Sequence, residues 1–229
     1  HGNNKSIEEL NLALSAGVGY IVVDNPWELE NLAQLAAGRK SRIKILLRLT
    51  PGIEAHTHHY IQTGQLDSKF GISLAGDAAL EVVKRALELP CLELAGIHCH
   101  IGSQVFASES FRLAAERMVE FMAEVREETG QQLAELNLGG GLGITYTEND
   151  RPEPIAAFIH GIATAIKEAC ARYNLPLPTL LLEPGRSLVG EAGIAVYRVG
   201  AIKEIPRVRT YASVDGGMAD NPRPALYQA

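Results

Sequence analysis

Three apolar runs in this chain each end in a polar cluster that contains glycine. The clusters are residues 96–103 (GIHCHIGS), 138–143 (LGGGLG) and 182–187 (LEPGRS). Together they supply imidazoles, a glycine-rich turn, a carboxylate and a guanidinium. Residues that follow parallel strands converge on one mouth, where ligands bind. We therefore predict a small-molecule site with anion-binding groups at these strand ends.

The triple glycine Gly139, Gly140, Gly141 follows a strand pattern and precedes a helix pattern near Pro154. Glycine allows backbone amides to turn toward an anion, and a nearby helix amino terminus adds a favourable dipole. This spacing favours a phosphate cradle. The alternative is a tight turn that needs positive φ.

Glu183 and Arg186 flank the turn formed by Pro184 and Gly185 at the end of a strand pattern. The functional interpretation is that Glu183 binds a protonated ring nitrogen, while Arg186 presents its planar fork to a carboxylate or phosphate. The alternative is a surface ion pair, which contributes little.

His98 and His100 are two residues apart and share one face of a strand. This spacing is compatible with a metal such as zinc, with Glu183 as a further ligand, or with one imidazole lying flat against an aromatic cofactor ring. Cys99 points to the opposite face, where we expect a core thiol.

Three further segments carry chemistry-bearing residues. The histidine cluster in residues 54–59 (EAHTHH) is either a metal cluster or a solvated loop, and Lys69 is either a loop charge or part of the mouth. Arg223 lies between Pro222 and Pro224, which fix the backbone on both sides. This arrangement favours a second clamp for a substrate anion.

The elements that position these residues alternate between strand and helix patterns. This alternation predicts an α/β fold with a right-handed, parallel arrangement. A complete (β/α) barrel needs about 250 residues, so residues 1–190 are predicted to be a partial TIM-type barrel, and residues 191–229 the truncated start of an antiparallel β domain. Predicted strands cover 20–24, 43–49, 94–100, 133–138, 179–182, 194–205 and 211–214; predicted helices cover 6–16, 25–37, 77–89, 108–129 and 154–173.

Composition excludes several classes of protein. The 229 residues are 46% hydrophobic with a formal charge of -6 and no basic block, so we expect no nucleic-acid partner. No run of about 18 apolar residues occurs, so no membrane partner is expected. Three widely spaced cysteines argue against a secreted disulfide framework and predict a cytoplasmic location.

Six segments, in order along the chain, resemble the diaminopimelate decarboxylases, a family of pyridoxal-phosphate enzymes of the alanine-racemase type. The resemblance runs from the first residue to the last. It implies a β/α barrel followed by a β domain, and conversion of meso-2,6-diaminopimelate to L-lysine and CO2. The segments are residues 1–6 (HGNNKS), 68–72 (SKFGI), 98–104 (HCHIGSQ), 139–143 (GGGLG), 183–187 (EPGRS) and 215–227 (DGGMADNPRPALY).

The resemblance also implies which residues form the site. His100 and Glu183 take the catalytic roles: His100 stacks on the cofactor ring, and Glu183 keeps the pyridine nitrogen protonated. The phosphate is held by Ser103 and the triple glycine. Pro184, Gly185 and Arg186 complete the cofactor turn, and the distal end of the amino-acid substrate is bound by Arg186, Arg223 and Tyr227.

The family's Schiff-base lysine lies on an early barrel strand, and no lysine here has a matching context. Without this lysine, the fragment is predicted to be inactive. The resemblance also predicts that the full-length parent enzyme is a homodimer. Three alternatives remain open: a non-catalytic cofactor-binding relative, a decarboxylase of another basic amino acid or polyamine precursor, and a metal-dependent barrel hydrolase. The hydrolase does not explain the glycine turn and the arginines.

Overall fold

The computed structural model of the protein describes residues 1–39, 42–53 and 68–222, which form alternating helices and strands. The helices are α1 (Ile7–Ala16), α2 (Pro26–Ala36), α3 (Ala78–Leu87), α4 (Glu109–Thr129), α5 (Ile155–Arg172) and α6 (Arg186–Val189). The strands are β1 (Ile21–Val23), β2 (Ile43–Thr50), β3 (Ile72–Ser73), β4 (Leu92–His98), β5 (Glu135–Asn137), β6 (Thr179–Leu181), β7 (Val199–Ile205) and β8 (Arg209–Val214).

Side-chain caps fix the starts of the first two helices. The Ser6 hydroxyl accepts the Glu9 N–H, and the Glu9 carboxylate accepts the Ser6 N–H, which forms a capping box at α1. At α2, Asn25 accepts the Glu28 N–H, and Pro26 occupies the first helical turn. The predicted starts of both helices are confirmed. Across the described ranges, no helix combines the length and apolar character that crossing a membrane requires.

Six parallel strands form one sheet. The order is β1-β2-β4-β5-β6, and the short β3 also pairs with β2. The helices α2, α3, α4 and α5 lie between successive strands of this sheet along the chain. The predicted parallel α/β fold is confirmed, while β3 was missed because its two residues lie inside a long connection.

The sheet buries two different apolar layers. Its outer face packs on the helices, and the Phe111 and Phe158 rings meet edge to face 5.7 Å apart within that layer. The inner layer is small, with Val22, Leu46 and Ala95 at its centre. Above this small inner layer, the carboxyl ends of the strands carry polar residues.

Strand β4 contains a bulge. The register against β2 shifts because Ile45 pairs with Leu94, but Leu46 pairs with Gly96. Leu94 and Ile97 both pack in the outer layer, although regular alternation would place residues three apart on opposite faces. Gly96 fits this position because a Cβ atom would lie 2.0 Å from the Glu135 carbonyl oxygen.

The described residues form two compact units, the first ending at Leu188 and the second beginning at Val189. Within the second unit, β7 and β8 form an antiparallel hairpin. Strand β7 begins at Val199, so the predicted start at residue 194 was wrong. Val199 pairs with Val214, the last residue of β8. The preceding residue, Arg198, donates its N–H to the Asp215 side-chain carboxylate and not to a backbone carbonyl of β8.

Candidate active site

The carboxyl ends of neighbouring strands place three polar side chains in one row. Arg48 of β2 pairs in register with His98 of β4, which pairs with Asn137 of β5. Glu183 follows two residues after β6, and its N–H donates to the Gly139 carbonyl at 2.8 Å. The sheet therefore brings together the three clusters that the sequence suggested.

Glu183 accepts hydrogen bonds from three side chains. Its Oε1 atom lies 2.6 Å from His1 Nε2 and 2.8 Å from Asn137 Nδ2, while Oε2 lies 3.4 Å from His98 Nε2. Burial alone would raise the pKa of this carboxyl, but the hydrogen bonds from His1 and His98 hold it well below its usual range. Glu183 is therefore an ionised acceptor.

Burial favours the neutral form of His98, the last residue of β4, and of His100, two residues beyond the strand. His98 is 1% exposed, and burial lowers its pKa. Burial, reinforced by the charge of Arg48, lowers the pKa of His100 to about 4. The Nδ1 atom of His100 accepts the Gly140 N–H at 3.3 Å, which requires an unprotonated nitrogen there. Cys99 is fully buried in the outer core, as expected.

A buried ion pair lies beside this row. Asp24 and Arg48 are 3% and 8% exposed, and their side chains approach to 3.3 Å. Asp24 also accepts the Gly71 N–H at 2.9 Å, and the Arg48 guanidinium lies 4.6 Å from the centre of the Phe70 ring. Sequence reasoning missed this pair; the signal was a single arginine within the apolar run of residues 45–49 (ILLRL).

The glycine turn makes close backbone contacts. Gly139 and Gly141 have φ angles of +68° and +106°, and a Cβ atom on Gly141 would lie 2.0 Å from the Gly102 carbonyl oxygen. The amides of Gly139 and Gly140 donate to Asn137 and His100. The predicted need for glycine is therefore explained by tight packing as well as by any bound anion.

Arg186 is bound by two hydroxyl groups, and within the described ranges it forms no ion pair. Its guanidinium donates to the Ser103 hydroxyl at 3.1 Å and to the Tyr146 hydroxyl at 2.7 Å. Arg186 Nε and the Ser187 hydroxyl are buried and lack a hydrogen-bond partner within the described ranges. An unpartnered guanidinium N–H and an adjacent hydroxyl suit an anion with several oxygens, such as a phosphate. Tyr146 carried no recognisable motif in the sequence.

Several predicted residues cannot be placed. Arg223, Tyr227 and the histidine cluster in residues 54–59 lie outside the described residues. Lys69 is described, and its ammonium lies 5.2 Å from the centre of the Phe70 ring. Pro184 and Gly185 form the connection between Glu183 and α6.

His1, His98 and Glu183 also form a group of ligand type, with ligand atoms within 4.8 Å of one another. His100 is not in this group, so the predicted pairing of His98 and His100 on one metal is not found among the described residues. The three members already hydrogen-bond to each other. Their contacts therefore need no ion to explain them.

Comparison with known proteins identifies related chains over the full length. Residues 1–190 match the family described as pyridoxal-dependent decarboxylase, pyridoxal binding domain. Diaminopimelate decarboxylases from Halalkalibacterium halodurans and Bacillus subtilis are each 50% identical over 229 residues, which is 100% of this chain and 52% of theirs. The chain thus spans about half the length of these relatives.

Solved structures give the same result. Diaminopimelate decarboxylase from Helicobacter pylori, complexed with L-lysine, matches with a TM-score of 0.86 and 31% identity over 99% of this chain and 54% of that one. The enzyme from M. jannaschii matches with a TM-score of 0.85 and 35% identity over 100% of this chain and 52% of that one. These matches confirm the barrel type of the α/β unit.

The residues present fit pyridoxal phosphate, the cofactor of this family. The orphaned donors of Arg186 and Ser187 suit its phosphate, and the ionised Glu183 suits a protonated ring nitrogen. The family match covers most of the chain. The chain therefore belongs to the pyridoxal-dependent decarboxylases, and its residues 1–190 match their pyridoxal-binding domain.

Proposed function

We propose that the full-length protein carrying this chain decarboxylates meso-2,6-diaminopimelate to L-lysine and CO2. The relatives that cover the whole chain at 50% identity are diaminopimelate decarboxylases, which supports this substrate. The observation that carries the proposal is the geometry of Glu183, an ionised carboxylate at the strand ends whose Oε1 atom already accepts two hydrogen bonds.

Pyridoxal phosphate, when bound, supplies an aromatic ring that accepts the electrons left as the carboxylate departs. The residues of this chain prepare for that role. Glu183 holds a proton at the ring nitrogen, because an ionised acceptor stabilises the N–H form. Neutral His100 offers an uncharged imidazole face for the ring, since a charged one would compete with the protonated ring nitrogen.

The phosphate is bound by Arg186, Ser103 and the glycine turn. Arg186 Nε and the Ser187 hydroxyl are buried donors that a phosphate oxygen would satisfy. The amides of Gly139 and Gly140 already have acceptors, so the side chains supply more of the binding than the glycine motif suggested. Pro184 and Gly185 space Glu183 from Arg186, so that one turn reaches both ends of the cofactor.

Arg223 and Tyr227 bind the distal carboxylate of the substrate in this proposal, with help from Arg186. A fixed guanidinium attracts a carboxylate and repels an ammonium group. Diaminopimelate ends in an amino-acid group at both termini, whereas ornithine and arginine end in a cation. This difference gives the specificity its chemical basis.

The test uses the full-length protein loaded with pyridoxal phosphate. We expect CO2 release and L-lysine formation from meso-diaminopimelate, and little release from ornithine or arginine. Arg223→Ala should raise KM for diaminopimelate while the cofactor absorbance stays intact; Glu183→Gln should keep the cofactor and slow turnover about 100-fold. Preference for ornithine or arginine would instead identify another amino-acid decarboxylase, and cofactor binding without any turnover a non-catalytic relative.

We further propose that the lysine bound covalently to the cofactor is not in this chain. Lys5, which is close to the strand ends, donates to the Gly2 and Val22 carbonyl oxygens and lies 2.8 Å from Glu28. These contacts hold its ammonium group. Borohydride reduction of the loaded full-length protein, followed by peptide mapping, checks this; a labelled lysine within residues 1–229 would contradict it.

The resemblance also supports a cytoplasmic homodimer in which residues 191–229 begin a C-terminal β domain. The free Cys91, Cys99 and Cys170 are compatible with a reducing compartment. Sedimentation of the full-length protein tests the assembly, and a monomer that retains full activity would refute the dimer.

A further inference from the structure

Asn137 makes two hydrogen bonds that no sequence motif predicted. Its Oδ1 atom accepts the Gly139 N–H at 2.8 Å, and its Nδ2 atom donates to Glu183 Oε1 at 2.8 Å. The side chain is 5% exposed and stands in register between His98 and Leu181. One amide therefore joins the glycine turn to the carboxylate.

We propose that Asn137 is a positioning residue that orients Glu183 toward the pyridine nitrogen and couples this carboxylate to the glycine turn. The inference rests on the proposed function, in which Glu183 holds the proton of the ring nitrogen. Asn137 itself touches neither the cofactor nor the substrate in this scheme. It acts through the carboxylate.

The orientation of the amide is fixed by chemistry. The Gly139 N–H needs an acceptor, so the oxygen of Asn137 must face it, and the NH2 group must then face Glu183. A carboxylate with one free oxygen could rotate, but Oε1 is held by both Asn137 and His1. Among the described residues, the Oε2 atom meets only the longer contact from His98, at 3.4 Å. Oε2 is thus the oxygen left to accept the N–H of a ring.

The same bonds tie the two ends of the site together. Gly139 has a φ of +68°, and its carbonyl accepts the Glu183 N–H. Asn137 links Gly139 and Glu183 a second time. Its side chain bonds to the Glu183 side chain and to the Gly139 backbone N–H. A displacement of the turn is therefore transmitted to the carboxylate.

Two variants of the full-length protein separate positioning from packing. Asn137→Leu removes the donor and the acceptor, and Asn137→Asp keeps the shape and the acceptor for Gly139 but faces Glu183 with a carboxylate. A structural role predicts that leucine is the more harmful change. The positioning role predicts that aspartate is at least as harmful, because it forces Glu183 to share a proton. Asn31→Leu serves as a control, since Asn31 is partly exposed on α2 and donates to the Trp27 carbonyl.

The readout is the nitrogen-15 chemical shift of bound pyridoxal phosphate labelled at the ring nitrogen, which reports its protonation. We expect both Asn137 variants to shift this signal toward the unprotonated value and to reduce kcat about 10- to 100-fold, as the loss of a hydrogen bond to a charged group predicts, with a smaller change in KM. The Asn31 control should leave both unchanged.

Glu183→Gln distinguishes the two levels of the argument. If this variant leaves the nitrogen-15 signal unchanged, the proposed role of Glu183 is wrong. If it moves the signal but both Asn137 variants do not, only the role of Asn137 is wrong. Should Asn137→Leu fail to fold, the Asn137→Asp variant alone decides, because its shape matches the native side chain.

Discussion

The contact between Gly140 and Glu183 predicts how the two ends of the proposed cofactor site depend on each other. A Cβ atom on Gly140 would lie 2.1 Å from the Glu183 carbonyl oxygen and 3.0 Å from its carbon. Both contacts are to backbone, which cannot rotate away as a side chain does. In the Gly140→Ala variant, the glycine turn and the end of β6 must therefore separate by about 1 Å to restore ordinary packing.

Overpacking of this kind costs about 1–3 kcal/mol. The same shift lengthens the 2.8 Å hydrogen bond from the Glu183 N–H to the Gly139 carbonyl. Because the proposed site is built from these two segments, we expect Gly140→Ala to weaken cofactor binding, by at most about 150-fold when the whole cost falls on the bound state. We also expect a lower melting temperature of the apoprotein.

Titration of the full-length apoprotein with pyridoxal phosphate, followed by absorbance, measures the first effect, and thermal unfolding measures the second. Gly19→Ala is the matched control, since a Cβ atom there meets nothing within 4 Å. This control should change the cofactor Kd less than twofold. An unchanged Kd and melting temperature in Gly140→Ala would show that the turn is not braced against Glu183.

Two further predictions concern the buried charges around the site. Asp24→Asn should destabilise the protein by about 3–5 kcal/mol, because it leaves the Arg48 guanidinium buried without its counter-charge; urea unfolding checks this, and a loss below about 1 kcal/mol would mean that solvent reaches Arg48. The pKa of His100 falls from 6.5 to about 4 on folding, so between these pH values the unfolded chain binds a proton that the folded protein excludes. The free energy of unfolding should therefore decrease as the pH is lowered from 6.5 to 4. This residue contributes at most about 1.4 kcal/mol per pH unit to the decrease. Unfolding of the apoprotein at several pH values should show a shallower slope for His100→Leu than for the wild type, and identical slopes would refute the assignment.

The alternation of apolar runs and helix patterns was enough to predict the parallel sheet. The cap residues Ser6 and Asn25 located helix starts to within a residue, because capping chemistry is local. The start of β7 was predicted too early, since the end of a strand depends on its partner. That partner ends at Val214, which no local pattern reveals.

The site was predictable where motifs mark strand ends and hidden where single residues complete it. Glu183 and Arg186 stand out because glycine and proline surround them. Asp24, Asn137 and Tyr146 do not, because each acts through a contact with a segment far away in sequence: Asp24 reaches Gly71, Asn137 reaches Glu183, and Tyr146 reaches Arg186. Such long-range contacts cannot be predicted from the local sequence around each residue.

The bulge at Gly96 has a consequence for how this strand can be altered or transplanted. Counting every second residue back from His98 assigns Leu94 to the mouth, yet Leu94 packs against the helices. The strand thus changes parity at the glycine: even-numbered residues face the helices before it, and even-numbered residues face the candidate site after it. When β4 is lengthened or shortened, the inward and outward positions must be assigned separately on each side of Gly96. A segment that carries His98 into another barrel must include Gly96, so that His98 reaches the same face at the same height.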